Sequence, residues 1–272
     1  MDNLFDVKDK CIVITGGAGV LCSALAKDLA AQGAKLCIAD YDEFRAHELA
    51  KEIEAAGGFA LPIRMNVLDK NEVVSGFHCV MESMGGVDVL INGAGGNKKE
   101  ATATEDLSFF DMPVDAIRWV FDLNFIGSLL PCQVFGQYMA EQKQGNILNV
   151  SSMSAFCALT KVGTYSAAKA AISNFTGWLA VHMCQNYSTE IRVNAIAPGF
   201  FLTKQNRFLL TDEKTGELTP RGKTIIDHTP MGRFGDPEEL CGTVRWLLSD
   251  ASKFVTGTVI PIDGGFNAFS GV

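Results

Sequence analysis

Cys11-Ile-Val-Ile-Thr15 runs straight into Gly16-Gly17-Ala18-Gly19, and Lys35-Leu-Cys-Ile-Ala39 ends on Asp40. Both short apolar, β-branched runs read as buried strands. Between them Leu21, Leu25 and Leu29 recur every fourth residue up to Gly33, which reads as a helix. A β-α-β unit that opens on a glycine turn lets backbone approach a pyrophosphate at a helix N-terminus, whose free N–H groups and dipole favour anions. Asp40 follows Gly16 by 24 residues and can accept both ribose hydroxyls of an adenosine. Its charge would repel a 2′-phosphate, so the expected cofactor is NAD, with NADP second. Arg45 is the nearest base, a turn into the next helix. A plain glycine-rich turn is the weaker alternative.

The same alternation continues outward. Helices are expected over 42–56, 71–84, 114–142 (with a break near Gly127 or Pro131), from Tyr165 to about Tyr187, and over 236–248. Strands are expected over 60–65, 87–91, 147–150, 191–196 and 258–262. This order predicts a doubly wound, seven-stranded parallel sheet with helices on both faces, built as a single domain over 1–272. Ligands bind such sheets at the C-terminal ends of the strands. Asn66-Val67 stands at one such end, where a side-chain amide could bond an adenine amino group. Asn92-Gly-Ala94-Gly95-Gly96 stands at another. Residues 97–114 are polar and irregular, and loops of that length tend to be functional or mobile.

Bulk composition narrows the class. With 272 residues, 47% hydrophobic, the chain can bury a full core. A net charge of -8 and no Lys/Arg block argue against a nucleic-acid surface. No run approaches the roughly 20 apolar residues of a membrane span, and the N-terminus lacks a signal-peptide pattern. The eight cysteines show no C-x-x-C spacing and fall mostly in apolar segments. They read as reduced thiols in a cytoplasmic protein, with no metal site.

Tyr165-Ser-Ala-Ala-Lys169 puts a phenol and an ammonium on one helix face. The ammonium can favour phenolate, drawing the phenol pKa from about 10 toward neutrality. Ser152 follows the strand-like run that ends at Val150, and its hydroxyl could share a carbonyl oxygen with the tyrosine. Asn124 lies in a helix among Phe121, Leu123 and Phe125, where a buried amide needs a partner.

Taken together, the Thr15-Gly16 opening, Asn92-Gly-Ala-Gly95, Asn124, Ser152, Tyr165 with Lys169, and Pro198-Gly199 followed by Thr203 resemble the short-chain dehydrogenase/reductase family over essentially the whole chain. The resemblance implies a catalytic set of Asn124, Ser152, Tyr165 and Lys169. Tyr165 would exchange the proton, Ser152 would hold the reacting oxygen, and Lys169 would bond the nicotinamide ribose. It implies cofactor contacts at Gly16, Gly19, Val20, Leu21, Asp40, Asn66, Val67, Asn92, Ala94, Gly95, Pro198, Gly199 and Thr203, besides Tyr165 and Lys169. It also implies that residues 200–233 cover the substrate, and that the long helices pair across subunits into a homotetramer.

Four positions depart from the family pattern. Val20 and Cys22 replace the last two glycines of Thr-Gly-x-x-x-Gly-x-Gly, Asn66 replaces an acid, and Gly93 replaces an asparagine. The substrate reading rests on Asn97, Lys98, Lys204 and Arg207, which could pair a carboxylate, with Ser152 and Met153 beside the reacting oxygen. The runs Gly95-Gly-Asn-Lys-Lys and Ala197-Pro-Gly-Phe-Phe-Leu-Thr203 look like the sugar-acid branch, which implies a hexonate substrate. Two rivals stay open: an apolar ketone pocket lined by Phe109, Phe110, Phe156, Phe200 and Phe201, and a dinucleotide-binding regulator without turnover.

Overall fold

Seven parallel strands form the centre of the protein: β1 (Cys11–Thr15), β2 (Lys35–Asp40), β3 (Phe59–Arg64), β4 (Val89–Asn92), β5 (Gly145–Val150), β6 (Ile191–Pro198) and β7 (Val259–Ile262). Their order is β3-β2-β1-β4-β5-β6-β7. The computed structural model describes residues 4–202, 210–212 and 215–271. The sequence-predicted topology is the one found.

Strand periodicity sorts the core into two layers. On one face Ile12, Ile14, Leu36, Ile38, Val89 and Ile91 meet α1 (Val20–Ala31), α2 (Glu43–Ala55) and α7 (Cys241–Leu248). On the other, Val13, Cys37, Leu90 and Ile147 meet α3 (Lys70–Met84), α5 (Gly127–Gln142) and α6 (Gly163–Asn186). Phe135 of α5 is fully buried and meets Phe77 of α3 edge to face, with centroids 5.6 Å apart. Cutting it to alanine would cost about 3–5 kcal/mol.

Local chemistry sets the helix ends. Asp42 caps α2 and Asp69 caps α3 with side-chain oxygens, while Gly85 closes α3 in the left-handed region. α1 differs. Its N-cap, Gly19, offers no side chain, so the first-turn N–H groups stay open toward the strand ends. The sheet order reverses between β1 and β4, and this opens a crevice at their C-terminal ends.

The long helix expected over 114–142 is broken next to Gly127, one of the two expected places. α4 (Val114–Phe121) passes into a π turn at Asp122–Ile126 before α5 begins. Asn124 sits inside that turn and donates its amide to the Val120 carbonyl at 2.8 Å. A side chain that satisfies the displaced carbonyl makes the wider turn tolerable. Pro131 lies inside α5 without ending it. The helix expected over 236–248 starts as a 3₁₀ turn, Pro237–Leu240.

Candidate active site

Four predicted side chains converge at the ends of β4 and β5. Ser152 follows β5, and its hydroxyl lies near enough to the Tyr165 phenol to favour its ionised form. Lys169, one turn further along α6, is 4% exposed and donates to the Val150 carbonyl at 2.7 Å. Asn124 is fully buried, donates to the Gly96 carbonyl at 2.7 Å and accepts from the Gly96 N–H at 3.2 Å. Gly95 lies between Asn124 and Lys169. A Cβ there would stand 2.7 Å from Asn124 Oδ1 and 3.2 Å from Lys169 Nζ, so only glycine permits the approach.

The irregular segment 97–113 is seated on this site. Its buried Ala101 packs with Val120 against Tyr165, and the Ala103 N–H donates to the Lys161 carbonyl at 2.8 Å. That packing leaves Tyr165 half-buried.

A cleft of about 550 Å³ leads away from these residues. It runs from Asp40, Asn66 and Val67 past Gly16 and Gly19 to Gly95. Asp40 accepts from the Ala18 N–H and the Asp42 N–H, both at 3.0 Å, so the acid is locked to the glycine turn. The cleft has an anchored carboxylate at one end, open helix N–H groups midway and a proton-handling pair beyond Gly95. This order matches the ribose, diphosphate and reactive ring of a nicotinamide dinucleotide.

The comparisons agree with that geometry. A family model described as enoyl-(acyl carrier protein) reductase matches residues 18–267. UxuB of Bacillus subtilis, an oxidoreductase of uncharacterized activity, is 48% identical over 97% of this chain and 96% of its own. The 5-keto-D-gluconate 5-reductase of Escherichia coli is 32% identical over 97% of this chain and 98% of its own. A candidate D-mannonate oxidoreductase from Haemophilus influenza, crystallised with bound NAD, superposes with a TM-score of 0.92 at 46% identity, covering 98% of each chain.

This chain is a short-chain dehydrogenase/reductase. It belongs to a family of oxidoreductases that act on CH–OH groups.

The electrostatics of the enzyme differ from the sequence expectation. The lysine was expected to draw the phenol toward neutrality. Burial instead pushes the Tyr165 phenol above its ordinary value, and the Ser152 hydroxyl pulls only partly the other way. Burial also pulls Lys169 down to about 8. The ammonium is 5.6 Å from the Tyr165 ring centroid and spends a proton on Val150. Desolvation penalises the charged form of each group, and here it outweighs their mutual attraction.

Several expected contacts lie elsewhere. Asn92 turns its amide into the core, donating to Asn149 Oδ1 at 2.8 Å and to Cys132 Sγ, so only Gly93, Ala94 and Gly95 of that strand end line the cleft. Val20 and Leu21 begin α1 and face the cleft region by backbone alone, with Leu21 packed on the core. Pro198 ends β6, and the Gly199 N–H donates to Ile262. Met153 is enclosed with Leu210, Ile225 and Phe266 rather than presented beside Ser152. Asn97 donates to the Thr102 hydroxyl at 2.9 Å, a turn contact. Asn66 accepts from the Leu68 N–H at 3.1 Å and still lines the cleft. Thr203, Lys204 and Arg207 lie outside the described residues.

The five phenylalanines of the apolar-pocket rival do not line one pocket. Phe109 and Phe110 are exposed and meet each other, Phe156 is half out, and Phe200 and Phe201 border a separate pocket of about 360 Å³. Tyr41, Met65, Leu68, Trp119 and Leu123 also line the cleft, and the sequence reading gave none of them a site role. Tyr41 is exposed beneath the Arg64 guanidinium, 5.2 Å from its ring centroid. An exposed aromatic directly after Asp40 was the available signal. Trp119 and Leu123 are four residues apart on one face, with Leu123 next to Asn124, a spacing readable in the sequence.

Proposed function

We propose that this enzyme interconverts a hydroxyl and a ketone on a hexonate, D-mannonate and D-fructuronate first, with NAD as the cofactor. The observation that carries the reading is Gly95, which lies against Asn124 and Lys169 and also lines a cleft that runs to Asp40. The choice of a sugar acid is supported by the names of two relatives, a candidate D-mannonate oxidoreductase with NAD and a 5-keto-D-gluconate 5-reductase.

In this reading Gly16, Gly19 and the first-turn N–H groups at Val20 and Leu21 receive the diphosphate. Asp40 receives the ribose hydroxyls, and Asn66 and Val67 flank the adenine. The nicotinamide, when bound, takes or supplies the hydride. Ser152 holds the substrate oxygen by a hydrogen bond. Tyr165 takes the hydroxyl proton during oxidation and returns it during reduction. Lys169 bonds the nicotinamide ribose, and Asn124 fixes the Gly95–Gly96 backbone beneath it.

Lys98 is the cation proposed for the substrate carboxylate. It is half-buried, with its ammonium 4.1 Å from the ring centroid of Trp119 on the cleft wall. Cation–π contact restrains the ammonium at the cleft mouth. Lys204 and Arg207 are proposed to add to it, and residues 200–233 to cover the substrate. The test is NADH formation with a panel of hexonates, followed by Lys98→Ala. A rise in KM for the hexonate, with KM for a neutral ketone unchanged, supports carboxylate recognition; equal effects on both reject it. Binding of NADH with no turnover on any substrate would favour the regulator reading instead.

Assembly is proposed from α5 and α6. Phe175, Trp178 and His182 stack along α6 at 5.8 and 4.8 Å, with Trp178 and Val181 more than half exposed. They border a groove of about 860 Å³ against α5. A second copy of this face would cover it, and a homotetramer follows if a further face pairs as well. Trp178→Asp should lower the mass measured by light scattering; an unchanged mass rejects this interface. No helix among the described residues is long and apolar enough to cross a membrane, and a reducing cytoplasm suits eight free thiols.

A further inference from the structure

Two departures from the family's usual residues meet each other in space. A Cβ built on Gly93 would collide with Cys22 Sγ, and would stand 2.9 Å from the Thr15 carbonyl oxygen. Cys22 is the third residue of α1, in the turn whose N–H groups open on the cleft. It is 4% exposed, and burial pushes its thiol up to about 12, so it is a neutral packing group and no nucleophile. Gly93 is tied to the opposite wall. Its N–H donates to the Thr15 carbonyl at 3.1 Å, and the next N–H, of Ala94, reaches the Thr15 hydroxyl at 3.4 Å.

Gly16 and Gly19 form one wall of the dinucleotide cleft, and Gly93 to Gly95 form the other. The Cys22 thiol lies against Gly93, where a side chain at position 93 would otherwise project. A residue larger than glycine at 93 requires a smaller one at 22, and the reverse holds as well.

We propose that Cys22 and Gly93 are a matched pair that sets the separation of the two cleft walls, with the thiol filling the space that a side chain at 93 takes up in the family's usual pattern. Cys22 is thus a positioning residue for the cofactor: it touches the Gly93 backbone, and the Gly93–Gly95 backbone meets the dinucleotide. The proposal is independent of which alcohol or ketone the enzyme uses. It accounts for how a turn with cysteine in place of its last customary glycine keeps a dinucleotide cleft.

The test is a double-mutant cycle read by NADH affinity, from fluorescence titration of the full-length protein, with Tm of the cofactor-free protein recorded beside it. Gly93→Asn alone should weaken NADH binding about tenfold or more, the scale of coupling between residues in contact. Cys22→Gly alone leaves a void and should weaken it a few-fold, about threefold. The double variant should bind within about threefold of the wild type, short of full recovery because the Thr15 carbonyl must also shift. Should Gly93→Asn fail to fold, Gly93→Ala with and without Cys22→Gly gives the same cycle. Losses that simply multiply in the double variant overturn the proposal. So does rescue confined to Tm with no recovery of NADH affinity, which is what a structural contact unrelated to the cleft would give.

Discussion

Lys169 donates its ammonium proton to the carbonyl of Val150, 2.7 Å away at the end of β5. The charge is held inside the protein by a neutral acceptor, and burial lowers the lysine to about 8 from 10.5. Between those two values the unfolded chain keeps a proton that the folded chain has released. This group therefore makes stability rise with pH from about 8 to about 10.5. Below that window both states are protonated, and the folded state bears the whole burial penalty, about 3 kcal/mol. Replacing the ammonium in Lys169→Met removes the penalty and leaves one carbonyl short of a donor, at about 1 kcal/mol. The variant should be more stable than the wild type at pH 7, with the advantage shrinking toward pH 10. Urea denaturation at both pH values checks it, and a pH-independent difference would mean the ammonium is not desolvated.

Tyr165→Phe removes the hydroxyl beside Ser152 and leaves the ring packed on Ala101 and Val120. Turnover should fall by about 10²–10⁴-fold. NADH affinity and Tm should change little. Residual activity within a few-fold of wild type would remove the phenol from the proton step.

Asp40 binds two backbone N–H groups and still faces the cleft. A hydrogen bond to a charged group contributes about 1.5–3 kcal/mol, so Asp40→Ala should weaken NAD binding by about 10–100-fold. NADP should lose less, because the repelling charge is gone, and the NAD/NADP ratio should collapse. Equal losses for both cofactors would show that Asp40 acts only on the turn. A lower Tm is expected, since the Ala18 and Asp42 N–H groups lose their acceptor.

Asn124→Ala leaves three backbone partners, the Gly96 N–H, the Gly96 carbonyl and the Val120 carbonyl, without the amide. Buried groups left unpaired cost about 1–3 kcal/mol each, less where the π turn can tighten to an ordinary helix. A net loss of about 3 kcal/mol and a fall in kcat are expected. Asn124→Asp should not rescue either, because a carboxylate accepts from Gly96 N–H but repels both carbonyls. Denaturant midpoints and turnover of the two variants decide it.

How far the chain could be read in advance depended on the range of the force involved. The order of strands and helices was legible because alternation and four-residue spacing record, residue by residue, which side faces a core. Ile12 and Ile14 against Val13 are enough to place both helix layers. Tyr165 and Lys169 were legible for the same reason, being one helical turn apart. The helix break was legible near Gly127, but its form was not, because the π turn depends on Asn124 reaching back to Val120. Asn92 was read as a cleft residue because its neighbours are; its partner, Asn149, arrives from the adjacent strand.

The amino-acid order by itself therefore determined the β-α repeat, the glycine turn with Asp40, and the helix face shared by phenol and lysine, since each follows from backbone geometry between near neighbours. Only the folded arrangement decided the charge state of that pair, the direction of each buried amide and the fit of Cys22 over Gly93. Those depend on solvent removed and space filled by segments far apart in the chain, and neither quantity is written in any local run of residues.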